Sequence, residues 1–257
     1  MRSDSKPRLV KTSIWDTLSL KSKQAYQRKG IRYILKVGMK MSFEIPKNSF
    51  LLWHYRRCNK SKTFSFQGKT YHYHIHPYCT SWKNERAVVI PVFNDILKEF
   101  QAKRKKVLEV GNTLSYVYPV SHDILDKYEI ADGVINEDVV TFSPGKHYDL
   151  IFSVVSMQCI GWDEVPRDST KILATLKNLN RLLTPDGQLV ISMGLGYNPE
   201  MDELLKKGVL GFDKIFYLKR ISELEWKEVA YKDIEDAKYD ESVPTSTVLA
   251  ICISNKK

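Results

Sequence analysis

Cysteine is scarce in this chain: four in 257 residues, Cys58, Cys79, Cys159 and Cys252, with no two close together and no Cys-x-x-Cys pair. That spacing argues against a disulfide framework and fits a reducing compartment, so the cytoplasm is the expected location. A zinc site could draw on His72, His74 and His76 with Cys58 or Cys79, but three ligands on one flat strand face do not converge tetrahedrally, so no metal is expected. Long apolar runs are missing too. None reaches the roughly 18 residues that a membrane span needs. The start, Met-Arg-Ser-Asp-Ser-Lys-Pro-Arg, lacks the apolar core of a secretory signal.

Acidic residues are sparse in the first part of the chain. Residues 1–106 hold 24 Lys plus Arg against 6 Asp plus Glu, whereas residues 107–257 hold 16 against 24, within a net charge of +10. Two modules are implied. The basic one suits an anionic partner, such as RNA, a phosphate-bearing substrate or an acidic surface, or else it is a solvated basic arm. Trp53, Tyr55, Phe64, Phe66, Tyr71, Tyr73, Tyr78 and Trp82 are interleaved with its charges. These aromatics could stack on bases or sugars, or form the compact core of a lid. The sequence leaves the oligomeric state open.

A hydrophobic content of 43% supports a folded core. A short basic helix fits Leu18–Leu35. Residues 65–76 alternate around a turn at Gly68 and predict a hairpin that Pro77 stops. The apolar face of Asn84–Phe100 predicts a helix, broken or kinked at Pro91. From Val107 the pattern becomes strand 107–110, helix or loop 113–121, strand 122–126, short strand 134–139, strand 148–155, helix 169–183 and strand 188–193. A helix over Pro199–Lys207 and strands over Phe212–Leu218 and Thr247–Ser254 complete it. Strands alternating with helices imply a mostly parallel sheet covered on both faces. The expected division is a basic N-terminal extension with a hairpin, serving as a substrate lid, over residues 1–83, and an α/β domain over 84–257.

Val107-Leu108-Glu109-Val110-Gly111 is an apolar strand ending in an acid and a glycine, and Asp126 follows one strand–helix–strand unit later. The spacing suits a nucleoside-type cofactor at the carboxyl ends of a parallel sheet, with Glu109 at its amino-acid end and Asp126 on a ribose diol. A plain buried strand has the same look. A nicotinamide-dependent reductase is disfavoured, because Gly111-Asn112-Thr113-Leu114 lacks the further glycines that seat a pyrophosphate.

Taken in order, these pieces resemble class I S-adenosylmethionine-dependent methyltransferases, of the type 11-like kind, over roughly residues 84–254. Val107–Gly111 matches the first motif, His122–Asp126 the second strand with its ribose-binding acid, and Asn136–Val139 the segment that places an acid near the adenine. Tyr148–Ser153 matches the fourth strand and Pro185-Asp186-Gly187 the turn before the fifth. The resemblance implies a three-layer α/β sandwich, a Rossmann-like methyltransferase fold with a mostly parallel seven-stranded sheet plus the basic N-terminal extension. It implies S-adenosylmethionine as cofactor, contacted by Glu109, Gly111, Asn112, Asp126, Lys127, Asp138, Val139 and Ser156.

Two departures stand out. Asn112, Thr113, Leu114 and Ser115 put side chains where the family has a glycine loop, and Gln158-Cys159 stands where related enzymes show Glu-His. Cys159, beside Ile160, reads as a buried small residue rather than a nucleophile. The remaining candidates for a general base are Asp163, Glu164 and His76, with His74 and Tyr78 behind them. Tyr78, Trp82, Asn84 and Arg86 lie on the segment expected to gate the substrate. The alternative reading is a catalytically silent methyltransferase-like module that binds RNA or protein.

Overall fold

The structure is a computed structural model that describes residues 47–58, 61–241 and 244–256. The helix expected over Leu18–Leu35 lies outside these residues, as does most of the basic extension. The first described element is helix α1 over 47–58. Strands β1 (Thr63–Phe66) and β2 (Lys69–His72) form the expected hairpin, paired Phe66 to Lys69 across the Gln67-Gly68 turn. Helix α2 (Arg86–Ala102) follows, then β3 (Val107–Val110), β4 (Asp123–Leu125), β5 (Val134–Ile135) and β6 (Tyr148–Val154). Next come α3 (Thr170–Leu182), β7 (Leu183–Gly194), α4 (Pro199–Lys206), β8 (Lys214–Ser222) and β9 (Glu225–Val229). A two-stranded pair, β10 (Tyr239–Asp240) and β11 (Thr245–Ser246), precedes the last strand, β12 (Val248–Asn255).

The main sheet runs β5-β4-β3-β6-β7-β12-β8-β9. Pairing is parallel from β5 through β7, and β12 enters antiparallel between β7 and β8. This is the three-layer, mostly parallel Rossmann-like architecture that the motifs predicted. It has eight strands rather than seven, because β8 turns straight back into β9. Of the two forms open to residues 113–121, helix or loop, the structure shows a loop with one 3-10 turn, Leu114–Tyr116. One further expectation is corrected: the strand expected over 134–139 is two residues long.

Both faces of the sheet are covered, which explains the unbroken apolar runs of its central strands. Alternation along β6 sends Leu150, Phe152 and Val154 to the α2 face and Ile151 to the face packed by α3 and α4. Phe64, Phe66 and Tyr73 belong to the same cluster as α2, with Phe66 edge-on to Phe216 at 5.6 Å. The Trp226 backbone N–H donates to the Tyr73 hydroxyl at 2.9 Å. The hairpin and its exit are therefore part of the main core.

Pro91 does not break α2. A proline removes the N–H that would bond the carbonyl four residues back. That carbonyl, on Ala87, accepts instead from the His74 backbone N–H at 2.8 Å. No helix among the described residues is long and apolar enough to cross a membrane.

Candidate functional site

From β3 the chain moves outward to β4 and β5, then returns to β6 on the other side of β3 and continues to β7. The carboxyl ends of β3 and β6 therefore flank the point where strand order reverses, the place where open α/β sheets bind ligands. Gly111 leaves β3 at φ +83°, and a Cβ there would lie 2.2 Å from Ser156 Oγ. Glycine is thus required by both backbone conformation and space. Opposite it, Val155 is held at φ +45°, a costly state for a β-branched residue. Its N–H is tied to Ser192 Oγ at 3.0 Å.

Glu109 has no solvent exposure. Its Oε1 accepts from the Thr113 and Leu114 amides at 2.8 and 2.9 Å, and its Oε2 lies 2.8 Å from His122 Nε2. Both oxygens are engaged within the protein, so Glu109 shapes the loop. The loop itself is filled. Asn112 Nδ2 donates to Glu129 Oε1 at 2.5 Å, the Tyr116 hydroxyl donates to the same oxygen at 2.6 Å, and Ser115 Oγ donates to Asn112 Oδ1.

Asp126 stands beside this loop. Its Oδ1 accepts from the Tyr128 and Glu129 amides, both at 2.9 Å, while Oδ2 has one long contact, 3.4 Å from Asn112 N. Oδ2 keeps capacity for another donor. Asp138 is more heavily engaged: Oδ2 accepts from Lys127 at 2.9 Å and Lys171 at 3.1 Å, and Oδ1 from the Val140 amide at 3.0 Å. Burial opposes ionisation of Asp138, but these donors hold its carboxyl down at about 2. Lys171 and Lys127 also reach Glu164, at 2.6 and 3.5 Å. Lys127, Asp138, Glu164 and Lys171 thus form one ion cluster. Val139 turns its side chain into the core, and its carbonyl accepts from Asn178 Nδ2 at 2.7 Å.

A second group of side chains gathers where α2 begins. Tyr78 stacks on Tyr116 at 4.4 Å and 13°, and its hydroxyl donates to the Asn112 carbonyl at 3.4 Å, so this segment touches the β3 loop. Burial raises the Tyr78 hydroxyl well above its ordinary value. Beyond it lie Arg86, Cys159, Asp163, Tyr197 and Tyr239, all within electrostatic reach of one another or of a common neighbour. The Tyr197 hydroxyl lies 2.8 Å from both oxygens of Asp163 and can donate to either, and its ring meets Tyr239 edge-on at 4.8 Å. Burial, reinforced by Asp163, pushes the Cys159 thiol up to about 12, which keeps it neutral.

Several residues that the sequence singled out have partners or burial within the scaffold. Asn84 donates to the Cys79 carbonyl at 2.8 Å and accepts from the Arg86 amide at 3.0 Å. Trp82 is buried at 2% exposure. Gln158 Oε1 accepts from the Gly194 amide at 2.6 Å, bracing the end of β7. His76 Nδ1 accepts from the Tyr78 amide at 3.1 Å, and burial, followed by Arg56, lowers its basicity. Of the three base candidates, Asp163 alone faces the second group: Glu164 is bound to lysines and His76 to its own turn.

Tyr197, Tyr239 and Glu129 carried no motif in the sequence. The nearest signal to Tyr197 is Asn198-Pro199, where Asn198 Oδ1 accepts from the Met201 amide and proline takes the first helical position. Tyr239 arrives from the β10–β11 pair, far along the chain.

No protein-family model and no curated protein matches the chain. Among solved structures it is similar to the N-methyltransferase NodS from Bradyrhizobium japonicum WM9 in complex with S-adenosyl-L-homocysteine, at 11% identity, covering 68% of this chain and 94% of that one, with a TM-score of 0.36. It is similar to a possible histamine N-methyltransferase from Thermotoga maritima at 15% identity, over 65% and 98% of the two chains, with a TM-score of 0.37. It is also similar to SAM-bound CalS10, an amino pentose methyltransferase from Micromonospora echinaspora, at 17% identity, over 40% and 50%, with a TM-score of 0.28.

Two outcomes follow from this geometry. Gly111→Ala should destabilise the protein by about 2 kcal/mol or more in denaturant titration, and adding Ser156→Gly should recover part of the loss by removing the steric share. An equal loss in the single and double variants would show that Ser156 does not limit the site. The second outcome concerns Asp202, whose Oδ2 accepts from the Gly196 amide at 2.7 Å while burial raises its carboxyl to about 6. The folded state binds this proton more tightly than the unfolded chain, so the stability it contributes is full below the unfolded value of 3.8 and is lost as pH rises through about 6. Asp202→Asn keeps an acceptor and never ionises. Its melting temperature should exceed that of the wild type at pH 8 by at least about 2 °C and converge with it near pH 4; no gap at pH 8 would remove the assignment.

Proposed function

We propose that this chain is an S-adenosylmethionine-dependent methyltransferase, its cofactor seated over Gly111 and reaching Asp126, its methyl acceptor on the Asp163 side. One observation carries this reading: Gly111, Ser156 and an Asp126 oxygen with spare capacity border the reversal point of the sheet. The residues fit the group in specific ways. Asp126 Oδ2 can accept from a ribose hydroxyl, and Gly111 lets Ser156 close against the β3 exit beside it. Asn112 and Tyr116, fixed through Glu129, frame the loop without flexible glycines. The Asp138–Lys127 pair would stand nearer the base end as a charged border.

The bound cofactor supplies a methyl group already activated on sulfonium, so the protein's task is to hold an acceptor atom in line with it. Tyr78, wedged between the Asn112 loop and Arg86, would form the wall that orients the acceptor and excludes water. Asp163, held by Tyr197, would take the proton from an acceptor hydroxyl or ammonium. The basic excess of residues 1–106 supports an anionic acceptor, whether RNA or a phosphorylated or nucleotide-linked sugar. The segment around Tyr78 would act as the lid. Four free cysteines accord with a reducing compartment such as the cytoplasm.

The side-chain network on residues 112–116 favours a second reading, a methyltransferase-like module that binds without catalysis. Calorimetry separates the two. Micromolar binding of S-adenosylmethionine and S-adenosylhomocysteine, with no binding of NAD, supports the enzyme; binding of none supports the silent module. Asp126→Ala should weaken cofactor binding by at least about 1 kcal/mol, the scale of a lost hydrogen bond to a charged group. Unchanged affinity would strike out the ribose contact. Asp163→Asn should leave S-adenosylhomocysteine binding within twofold and lower kcat by about 100-fold, whereas a preserved kcat would assign the proton to another group.

A further inference from the structure

The guanidinium of Arg86 is poorly satisfied for its position. Among the described residues it makes no hydrogen bond, its buried Nε has no partner, and its one ion pair, to Glu85 Oε1, is long at 3.7 Å. Only 22% of the side chain is exposed. Glu85 itself is turned toward β11, where Oε2 accepts from Thr245 Oγ1 at 3.0 Å and the Ser246 amide at 3.3 Å. Cys79, Tyr78, Cys159 and Tyr239 also share the field of Arg86, and none of these four offers it a carboxylate.

Guanidinium carries five donors in a planar fork, and leaving the buried Nε–H unpaired costs stability unless an acceptor arrives. A fork of this kind matches a carboxylate or phosphate, which it binds through two parallel hydrogen bonds. Arg86 is an electrostatic neighbour both of Tyr78, whose hydroxyl reaches the Asn112 carbonyl, and of Cys159 in the Cys159–Asp163–Tyr197 group.

We propose that Arg86 reads an oxyanionic group, carboxylate or phosphate, on a small methyl acceptor, and so fixes the acceptor's orientation toward Asp163. This rests on the reading of the site as a methyl-transfer centre and adds the substrate's chemical class to it. The burial of Nε favours a compact acid group over a nucleic-acid backbone running across an open face. Glu85 and Asp163 add a second criterion: the acceptor carries its acid group on one side only, with a hydroxyl or amine directed at Asp163.

The test uses the full-length protein saturated with S-adenosylhomocysteine and labelled with 15N on arginine, titrated separately with inorganic phosphate and with acetate. The Arg86 Nε–H resonance should move saturably with at least one anion, and the anion that moves it identifies the source. Arg86→Gln should weaken that anion's binding at least tenfold while keeping S-adenosylhomocysteine affinity within twofold, and Arg86→Lys, which keeps the charge without the fork, should fall between. A wild-type Arg86 signal unmoved by both anions would overturn the proposal, as would Arg86→Gln binding them like wild type. If Arg86→Gln does not fold, the wild-type titration alone decides. Failure of the wild type to bind S-adenosylhomocysteine would overturn the methyltransferase reading instead, and is seen before any anion is added.

Discussion

A carboxylate sealed from water at the end of the central strand governs the layout of this molecule. A buried charge survives only where donors surround it, and Glu109 obtains them by curling the next residues back so that the Thr113 and Leu114 amides and His122 meet its two oxygens. That curl forces the chain through Gly111 with a positive φ, brings the β3 exit against Ser156, and leaves the Asn112 amide beside Asp126. His122, at the entry to β4, draws the second strand into the same arrangement. The two loops at the reversal point are thus linked through one buried acid.

The central strands and α3 were legible in the sequence because both signals, buried runs and an apolar stripe ending before Pro185-Asp186-Gly187, are local. The eighth strand was not, since Glu225–Val229 alternates weakly and becomes a strand by pairing with β8. Gly111 and Asp126 could be placed from spacing alone. Glu109 could be located but not interpreted: strand periodicity says that a residue is at the end of β3, and only the folded loop shows which donors reach it. Asp163 and Glu164 illustrate the same limit. They are neighbours in sequence, yet one meets Tyr197 and the other two lysines.

The filled loop at residues 112–115 gives the site a different physical character from a glycine-rich one. Flexible glycines must be ordered when a ligand arrives, at an entropic cost. Here Asn112, Ser115, Tyr116 and Glu129 are already joined by hydrogen bonds. The surface beside Asp126 is therefore shaped in advance, and its outline depends on side chains rather than on bare backbone.

The carbonyl freed by Pro91 has a consequence for how this architecture can vary. Ala87 anchors His74 through that carbonyl, and the Trp226 amide anchors Tyr73. Glu85, joined to the β11 segment, clamps the far end of the same stretch. The path from Tyr73 to Glu85 is consequently a bridge of fixed span, with Tyr78 near its crown. Residues added to or removed from such a bridge cannot be absorbed at either abutment, so they must raise or lower the crown, and loop length there becomes a dial for the width of the opening beneath it.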